Sequence, residues 1–246
     1  MKISFVIPFH NEEKNCTKMI DKVKRFGKKM KWDFEIIVVD DRSSDATKEI
    51  LTQLSKKYPL IVKPCFRGND VEEKGNTMGK ALIEGTRKAK GEYIIWTMGD
   101  LADDERTYLA IINLLNKGYD MVFGSRYMPG GSRGNLDVLK AFLSSWGTRL
   151  ARLFFRVPVH DITNAFRGFR REVFDKLKLE SNGFSISPEF AIKAHLHGFR
   201  LGEVPTVYTK RVEGVSSFKL LAMTRSYLHL YWKLFSGEIK RRIVNS

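Results

Sequence analysis

Short apolar runs rich in β-branched and aromatic residues alternate along this chain with longer amphipathic stretches, and that alternation restricts the fold more than any other feature. Residues 3–7, 34–39, 60–63, 93–96 and 121–123 read as strands, and the stretches after Glu12, Asp45, Asn76, Asp104 and Asp137 read as helices. Asp45 and Asp104 are placed as N-caps, because a short carboxylate accepts bonds from the free amides of a first helical turn. Strand–helix alternation predicts a mostly parallel sheet with helices on both faces. A glycine- and proline-containing stretch, 124–136, interrupts the pattern as a long loop. Beyond it, 138–155 reads as helix, 164–170 as extended chain, a helix follows Ser187, and 201–207 reads as a strand.

Charge narrows the class of partner. Lys and Arg total 43 against 28 acidic residues in a chain of 246, a net charge of +15. Such an excess points to polyanions: nucleic acid, an anionic membrane face or phosphorylated substrates. No nucleic-acid motif is present, so nucleic acid is set aside. Cys16 and Cys65 form neither a ligand cluster nor a disulfide framework, as in a protein of a reducing compartment. The opening apolar run passes at once into His10-Asn11-Glu12-Glu13, unlike a secretory signal. No apolar run approaches the ~20 residues that span a bilayer, so the expectation is a soluble or peripheral protein.

Ligands of open α/β sheets bind at the carboxyl ends of the strands. Pro8 to Glu13, Asp40 to Asp45, Met98 to Asp104 and Gly124 to Tyr127 fall there, gathering polar and acidic groups on one edge. Carboxylates in that position bond a ribose or hold Mg²⁺ or Mn²⁺, which prefer oxygen ligands; equally, they cap helices or close turns. No G-x-G-x-x-G follows the first strand, and Gly75 to Lys80 lacks the phosphate-loop spacing. His195 and His197 have no partnering cysteines, which favours a surface or core position over metal.

The order of the motifs VIPFHNEEKN, IIVVDDRSSDAT, GNTMGKALIEGTRKAKGEYIIWTMGDLADD, GSRYMPGG, DITNAFRGFRREVF and KRVEGVSSFKL resembles glycosyltransferase family 2, from about Ile3 to about Lys219. Within the family it is similar to the dolichyl-phosphate mannosyltransferase and polyprenyl-phosphate glucosyltransferase group. The resemblance implies a GT-A fold, a Rossmann-like, mostly parallel α/β sheet, with a nucleotide-diphosphate-sugar site and a divalent cation, Mg²⁺ or Mn²⁺. Carried over by position, donor contacts fall on Pro8, His10, Glu12 and Asp40, and the acidic metal motif on Met98-Gly99-Asp100, with Asp100 the metal ligand. Acceptor-phosphate contacts fall on Arg126, Lys140, Ser144, Arg211 and Lys219, and the catalytic set on Asp100, Arg126 and Arg211. Three departures stand out: Met98 replaces the first aspartate of D-x-D, Ala102 replaces a further ligand, and Ser217 stands where a lysine is common. A thioether is a poor ligand for hard cations, so the cation is expected to bind more weakly or in another arrangement.

These readings divide the chain into a catalytic domain over 1–217 and a basic, aromatic tail over 218–246. Phe218, Leu221, Leu228, Tyr231, Trp232 and Phe235 form an apolar face at helical spacing in that tail, the pattern of an amphipathic helix on an anionic membrane surface; the same pattern suits a helix packed on the domain. The expected reaction is inverting transfer of a hexose or N-acetylhexosamine from a UDP- or GDP-sugar to a polyprenyl phosphate. The expected setting is cytoplasmic, peripheral on the cytoplasmic face of the membrane. A phosphate acceptor is already anionic and needs positioning by cations. A sugar-hydroxyl acceptor, the alternative, needs a base, for which Glu189 is the candidate. A catalytically silent nucleotide-sugar-binding protein is the third reading, motivated by Met98.

Overall fold

The computed structural model describes residues 2–68, 77–134, 136–209 and 220–244. Its strands are β1 (Lys2–Phe9), β2 (Asp33–Asp40), β3 (Val62–Phe66), β4 (Tyr93–Trp96), β5 (Met121–Ser125), β6 (Arg167–Arg170) and β7 (Leu201–Pro205). Its helices are α1 (Cys16–Lys29), α2 (Thr47–Lys57), α3 (Met78–Lys88), α4 (Arg106–Asn116), α5 (Val138–Phe155), α6 (Arg171–Lys176), α7 (Ile186–Leu196) and α8 (Leu220–Val244). The strands form one seven-stranded sheet in the order β3-β2-β1-β4-β6-β5-β7. β6 runs antiparallel to β4 and β5, and the remaining pairs are parallel.

Side-chain alternation along β1 explains why both faces are covered. Ile3, Phe5, Ile7 and Phe9 join the core beneath α1, α2 and α4, whereas Val6 joins the opposite core with α3, α5 and α7. A strand buried on both faces needs apolar residues at consecutive positions, and the 36–39 and 93–96 runs supply them. In α1, Cys16, Met19, Ile20, Val23, Phe26 and Gly27 are buried, the three-and-four spacing of a helix with one core-facing stripe.

The elements differ from expectation where short-range geometry intervenes. β3 begins at Val62 rather than residue 60, because Ile61 and Val62 both donate to the Tyr58 carbonyl and leave Leu60 exposed in the turn that ends α2. Only 167–170 of the expected 164–170 pairs as a strand; α6 follows at once and is too short for periodicity to reveal. α7 starts at Ile186, so Pro188 sits in its first turn, where no amide partner is lost. Asp45 and Asp104 lie one residue ahead of the flanking residues of α2 and α4, yet each accepts the first helical amide, at 3.0 Å in both cases.

α8 meets the rest of the chain along α5. Tyr227 and Tyr231 are buried, Tyr231 Oη donates to the Gly147 carbonyl at 2.9 Å, and Phe155–Tyr231 and Phe154–Phe235 rings sit 6.1 and 5.5 Å apart. Of the apolar face expected in the tail, Tyr231 turns inward, whereas Leu228, Trp232 and Phe235 remain exposed. Phe218 and the Leu221 side chain lie outside the described residues. Exposed Phe235 of α8 meets exposed Phe154 of α5, and Phe142, Trp146 and Leu153 of α5 are also exposed.

Candidate functional site

From β1 the chain builds outward to β2 and β3, then returns to place β4 on the other side of β1. Loops leaving β1 and β4 therefore diverge and leave a crevice at the carboxyl edge, the position at which such sheets bind ligands. A cavity of about 1080 Å³ opens there. One end is lined by Pro8 near the end of β1 and His10 and Glu12 after it, by Asp41 and Arg42 after β2, by Thr77 before α3, and by Met98, Gly99 and Asp100 after β4. Three residues assigned to the donor and the three of the metal motif thus meet in one place. Asp40 does not line it: its carboxylate turns to the Ser43 amide at 3.4 Å, and Asp41 is the residue at the wall.

The loops hold unusual backbone geometry. Asn11, Arg42 and Leu101, one in each of the loops after β1, β2 and β4, have φ of 54°, 59° and 63°. For a branched residue such as Leu101 the left-handed region costs on the order of 1–2 kcal/mol, so the surrounding contacts must hold it. They do: the Asp100 carboxylate accepts the Ala102 amide at 3.1 Å, and Gly99 packs so closely on Phe9 that a Cβ would lie 2.5 Å from its ring. His10 Nδ1 lies 2.8 Å from the Asp41 carbonyl, and Asn11 Oδ1 accepts the Ser44 amide at 2.8 Å, lacing the first two loops together. Asp41 accepts the Thr77 hydroxyl at 2.8 Å and pairs with buried Arg67; Arg42 donates to Thr77 at 2.8 Å.

Asp103 stands behind Met98 and Asp100. Its Oδ2 accepts the Thr97 hydroxyl at 2.9 Å and the Met98 amide at 3.0 Å, which fixes the turn carrying Asp100. Burial, reinforced by the neighbouring Asp100 charge, pushes its carboxyl up from 3.8 to about 6. The native state therefore retains a proton that the unfolded chain has lost between those values, and stability falls as pH rises across that window. Above it the ionised carboxylate costs on the order of 2 kcal/mol. Asp103→Asn keeps the accepting oxygen and removes the charge. It is expected to be more stable than the parent at pH 8 by on the order of 1–2 kcal/mol, with the difference vanishing near pH 4; urea unfolding in EDTA at both values checks this.

Among the described residues, no group of three or more His, Cys, Asp or Glu side chains is arranged to hold a metal ion. Met98 lines the cavity but offers sulfur, and the Asp103 oxygen that makes hydrogen bonds turns inward. The residues present fit a hard cation in one form: Asp100 as a single protein carboxylate, with donor phosphate oxygens and water completing the shell, as Mg²⁺ tolerates.

A second cluster forms at the end of β5. Arg126 Nε and Nη2 clasp Asp161 at 2.7 and 3.0 Å, its amide reaches the same carboxylate at 3.1 Å, and Nη2 touches Thr163 Oγ1 at 3.2 Å. Burial alone would weaken the Arg126 proton, but Asp161 more than reverses this and holds it above the ordinary range. Tyr127 Oη meets Ser144 Oγ, joining that serine to the cluster. Arg126 and Ser144 are thus together, but neither lines the cavity with Asp100. The Lys140 side chain, Arg211 and Lys219 lie outside the described residues. Thr209 lies beside the metal-motif turn, its amide and hydroxyl both bonding the Ala102 carbonyl. Motif reading missed Asp161, Asp41 and Thr77; for Asp161 the only local signal was its place in DITNAFRGFRREVF.

The far end of the cavity lies between the 176–185 loop, α7 and α8. Glu189 borders it, but its oxygens accept the Glu180 and Ser181 amides at 3.0 and 2.7 Å and Lys193 Nζ at 2.6 Å. This carboxylate anchors the loop. The loop in turn lies on α3, where a Cβ on Gly79 would fall 2.4 Å from the Ser181 carbonyl.

The model of the family described as glycosyl transferase family 2 matches residues 4–178. A dolichol-phosphate mannosyltransferase of Pyrococcus furiosus is 31% identical over 245 residues, 98% of this chain; the chain spans 66% of that relative's length. A polyprenol monophosphomannose synthase of Mycolicibacterium smegmatis is 30% identical over 219 residues, covering 86% of this chain and 78% of the relative. A glucosyl-3-phosphoglycerate synthase from Mycobacterium tuberculosis, crystallised with Mn²⁺, UDP and phosphoglyceric acid, superposes with a TM-score of 0.72 at 18% identity, over 94% of this chain and 78% of that one. The same synthase has been crystallised with Mg²⁺ and UDP. That likeness extends the GT-A-type architecture over nearly the whole chain, and with a family match covering most of its length the chain belongs to glycosyl transferase family 2.

Proposed function

We propose that this chain transfers a sugar, with inversion, from a nucleoside-diphosphate donor to a polyprenyl phosphate at the cytoplasmic surface of a membrane. The observation that carries the choice of acceptor is the state of Glu189. With its oxygens bonded to two amides and to Lys193, it is poorly placed to take a proton from a sugar hydroxyl. A phosphate acceptor needs no such base. The names of the Pyrococcus and Mycolicibacterium relatives favour the same class.

In this reading Pro8, His10, Glu12 and the Asp40–Asp41 turn hold the nucleoside, and Met98, Gly99 and Asp100 border its diphosphate. A divalent cation on Asp100 would offset charge building on the leaving diphosphate. Arg126, Lys140, Ser144, Arg211 and Lys219 meet the acceptor phosphate. For Arg126, Asp161 engages Nε and Nη2 and leaves Nη1 outside the ion pair, a fixed donor for an anion. The test is a panel of UDP- and GDP-sugars with a short polyprenyl phosphate or an oligosaccharide, in Mg²⁺, Mn²⁺ or chelator, with the product's anomeric configuration read by NMR. Product formed only on the oligosaccharide overturns the lipid acceptor, and retained configuration overturns inversion.

The membrane setting is supported by exposed Phe142, Trp146, Phe154, Leu228, Trp232 and Phe235 on neighbouring helices, beside Arg149, Arg152 and Arg225. Amphipathic surfaces of this composition bind anionic bilayers by apolar burial and charge. Leu228→Glu with Trp232→Glu is expected to lower flotation with anionic vesicles on the order of tenfold or more, since two buried apolar side chains are worth at least ~1.4 kcal/mol together. Unchanged flotation removes α8 from the contact.

A further inference from the structure

We propose that Tyr227 of α8 is a positioning residue for the Arg126 clamp: across Gly147 of α5 it holds the Thr163 side chain in the rotamer that fixes the guanidinium. The proposal rests on the reading above, in which Arg126 meets the acceptor phosphate, and adds to it what aims that arginine.

Arg126 is only partly fixed by its counter-ion. Asp161 engages Nε and Nη2, and Nη2 also reaches Thr163 Oγ1 at 3.2 Å. The same Thr163 hydroxyl donates to Asp161 at 3.1 Å. One hydroxyl thus closes a ring of three side chains and leaves Nη1 pointing in a set direction. A threonine has staggered alternatives at χ1, and each of the others would carry its oxygen off the arginine.

The backbone of this turn is held in a different way. Arg167 donates to the Ile162 and Asn164 carbonyls, Thr148 Oγ1 accepts the Ile162 amide at 3.3 Å, and Asn164 Nδ2 donates to the Gly124 carbonyl at 2.8 Å. None of these bonds constrains the Thr163 side chain. Its methyl instead borders the space over Gly147, where a Cβ would lie 3.5 Å from Thr163 Cγ2 and 3.4 Å from Tyr227 Cδ2. Because residue 147 has no side chain, the methyl and the tyrosine ring fill that space from two sides.

α8 delivers the ring. Tyr227 is buried, and Tyr231, one turn further on the same face, donates to the Gly147 carbonyl at 2.9 Å. The two rings lie 6.4 Å apart with their planes inclined by 23°. The anchor at Tyr231 therefore sets Tyr227 beside the same glycine. Burial pushes the Tyr227 hydroxyl above its ordinary range, and Arg126, Asp161 and Arg167 are the charges that act on it. The ring stands at the clamp as a neutral wall.

The experiment measures steady-state transfer to farnesyl phosphate by the full chain, from the nucleotide sugar that the parent turns over. Tyr227→Ala is expected to raise the acceptor KM about tenfold, the loss of roughly one charge-assisted bond, with kcat and donor KM within about twofold. Tyr227→Phe keeps the ring and is expected to stay within about twofold of the parent in all three. Thr163→Val keeps the shape and removes the hydroxyl; its acceptor KM is expected to rise by a similar factor. Adding Tyr227→Ala to Thr163→Val should change that KM by no more than about twofold, since both act on one contact. Where Tyr227→Ala fails to fold, Tyr227→Leu replaces it, with an expected rise of about threefold. An acceptor KM unmoved by these Tyr227 variants, an equal effect on donor KM or kcat, or multiplying effects of the two changes overturns the role of Tyr227. Arg126→Met separates the two levels of failure. A raised acceptor KM in Arg126→Met without one in Tyr227→Ala leaves the acceptor reading standing. No effect of Arg126→Met, or no transfer to farnesyl phosphate by the parent, overturns that reading and the positioning role with it.

Discussion

Asp100→Asn is expected to lower kcat by about 10²–10³-fold, the usual effect of removing one preorganised electrostatic contact to a leaving group, with the thermal unfolding midpoint changed by no more than about 3 °C. The two halves of this expectation have different origins. Asp100 Oδ1 accepts the Ala102 amide, and an asparagine oxygen can do the same, so the left-handed turn at Leu101 survives the exchange. What disappears is the negative charge that, in the proposed function, would anchor a cation, in a site where Met98 supplies no substitute. The charge also weighs on Asp103, whose raised pKa is due in part to Asp100. Relief of that repulsion opposes any loss of stability. Steady-state turnover at saturating donor, paired with Mn²⁺ titration by electron paramagnetic resonance in the presence of UDP or GDP, checks both halves. A variant that loses Mn²⁺ but keeps turnover would remove the cation from the reaction. Loss of turnover with Mn²⁺ retained would assign Asp100 another task.

How far the fold was legible depends on the range of the forces involved. β1, β2 and β4 were readable because burial on both faces demands apolar residues at consecutive positions, a demand interrupted here only at Ser4 and Glu35, which bond each other. The N-terminal signals at Asp45 and Asp104 are similarly local. The assignment of Asp40 failed to reach the cavity for a finer reason. At the end of a strand, one step of pleat decides which of two adjacent carboxylates lines the cavity, and the sequence Asp40-Asp41 carries no mark of that step. Glu189 was ambiguous because, beside the i,i+4 partner Lys193, two of the groups that bind it are the amides of Glu180 and Ser181, backbone atoms that leave no trace in residue identity. For α8, periodicity identified the helix but not its orientation. Tyr231 reads as one more apolar residue until its hydroxyl is seen on the Gly147 carbonyl of α5.

Asp161→Asn is expected to destabilise the chain by about 3–5 kcal/mol, the range seen when one member of a buried ion pair is removed. Asp161 is fully buried, and it receives the Arg126 amide, Nε and Nη2, the Thr163 hydroxyl at 3.1 Å and the Asn164 amide at 3.2 Å. An asparagine in its place presents an NH₂ to donors on one side and leaves the Arg126 charge without its counter-ion. Arg167, also fully buried, compounds the effect. Burial pushes its guanidinium down to about 9, and Asp161 is the carboxylate that opposes the shift. Its Nη atoms are satisfied by the Ser187, Ile162 and Asn164 carbonyls, and its charge otherwise rests on Phe123 and Trp96. At about 2–4 °C per kcal/mol in a chain of this size, the expected fall in unfolding midpoint is on the order of 10 °C. Arg126→Met is expected to cost less, because the Asp161 carboxylate keeps the Arg126 and Asn164 amides and the Thr163 hydroxyl. The pair of variants therefore separates two roles for Arg126. If it only balances Asp161, Arg126→Met together with Asp161→Asn should be more stable than Asp161→Asn alone, since no unpaired guanidinium remains at position 126, and should retain the parent's acceptor KM. If Nη1 also grips the acceptor phosphate, that double variant should show the same gain in stability with an acceptor KM raised at least about tenfold, since charge-assisted bonds to phosphate are the stronger kind.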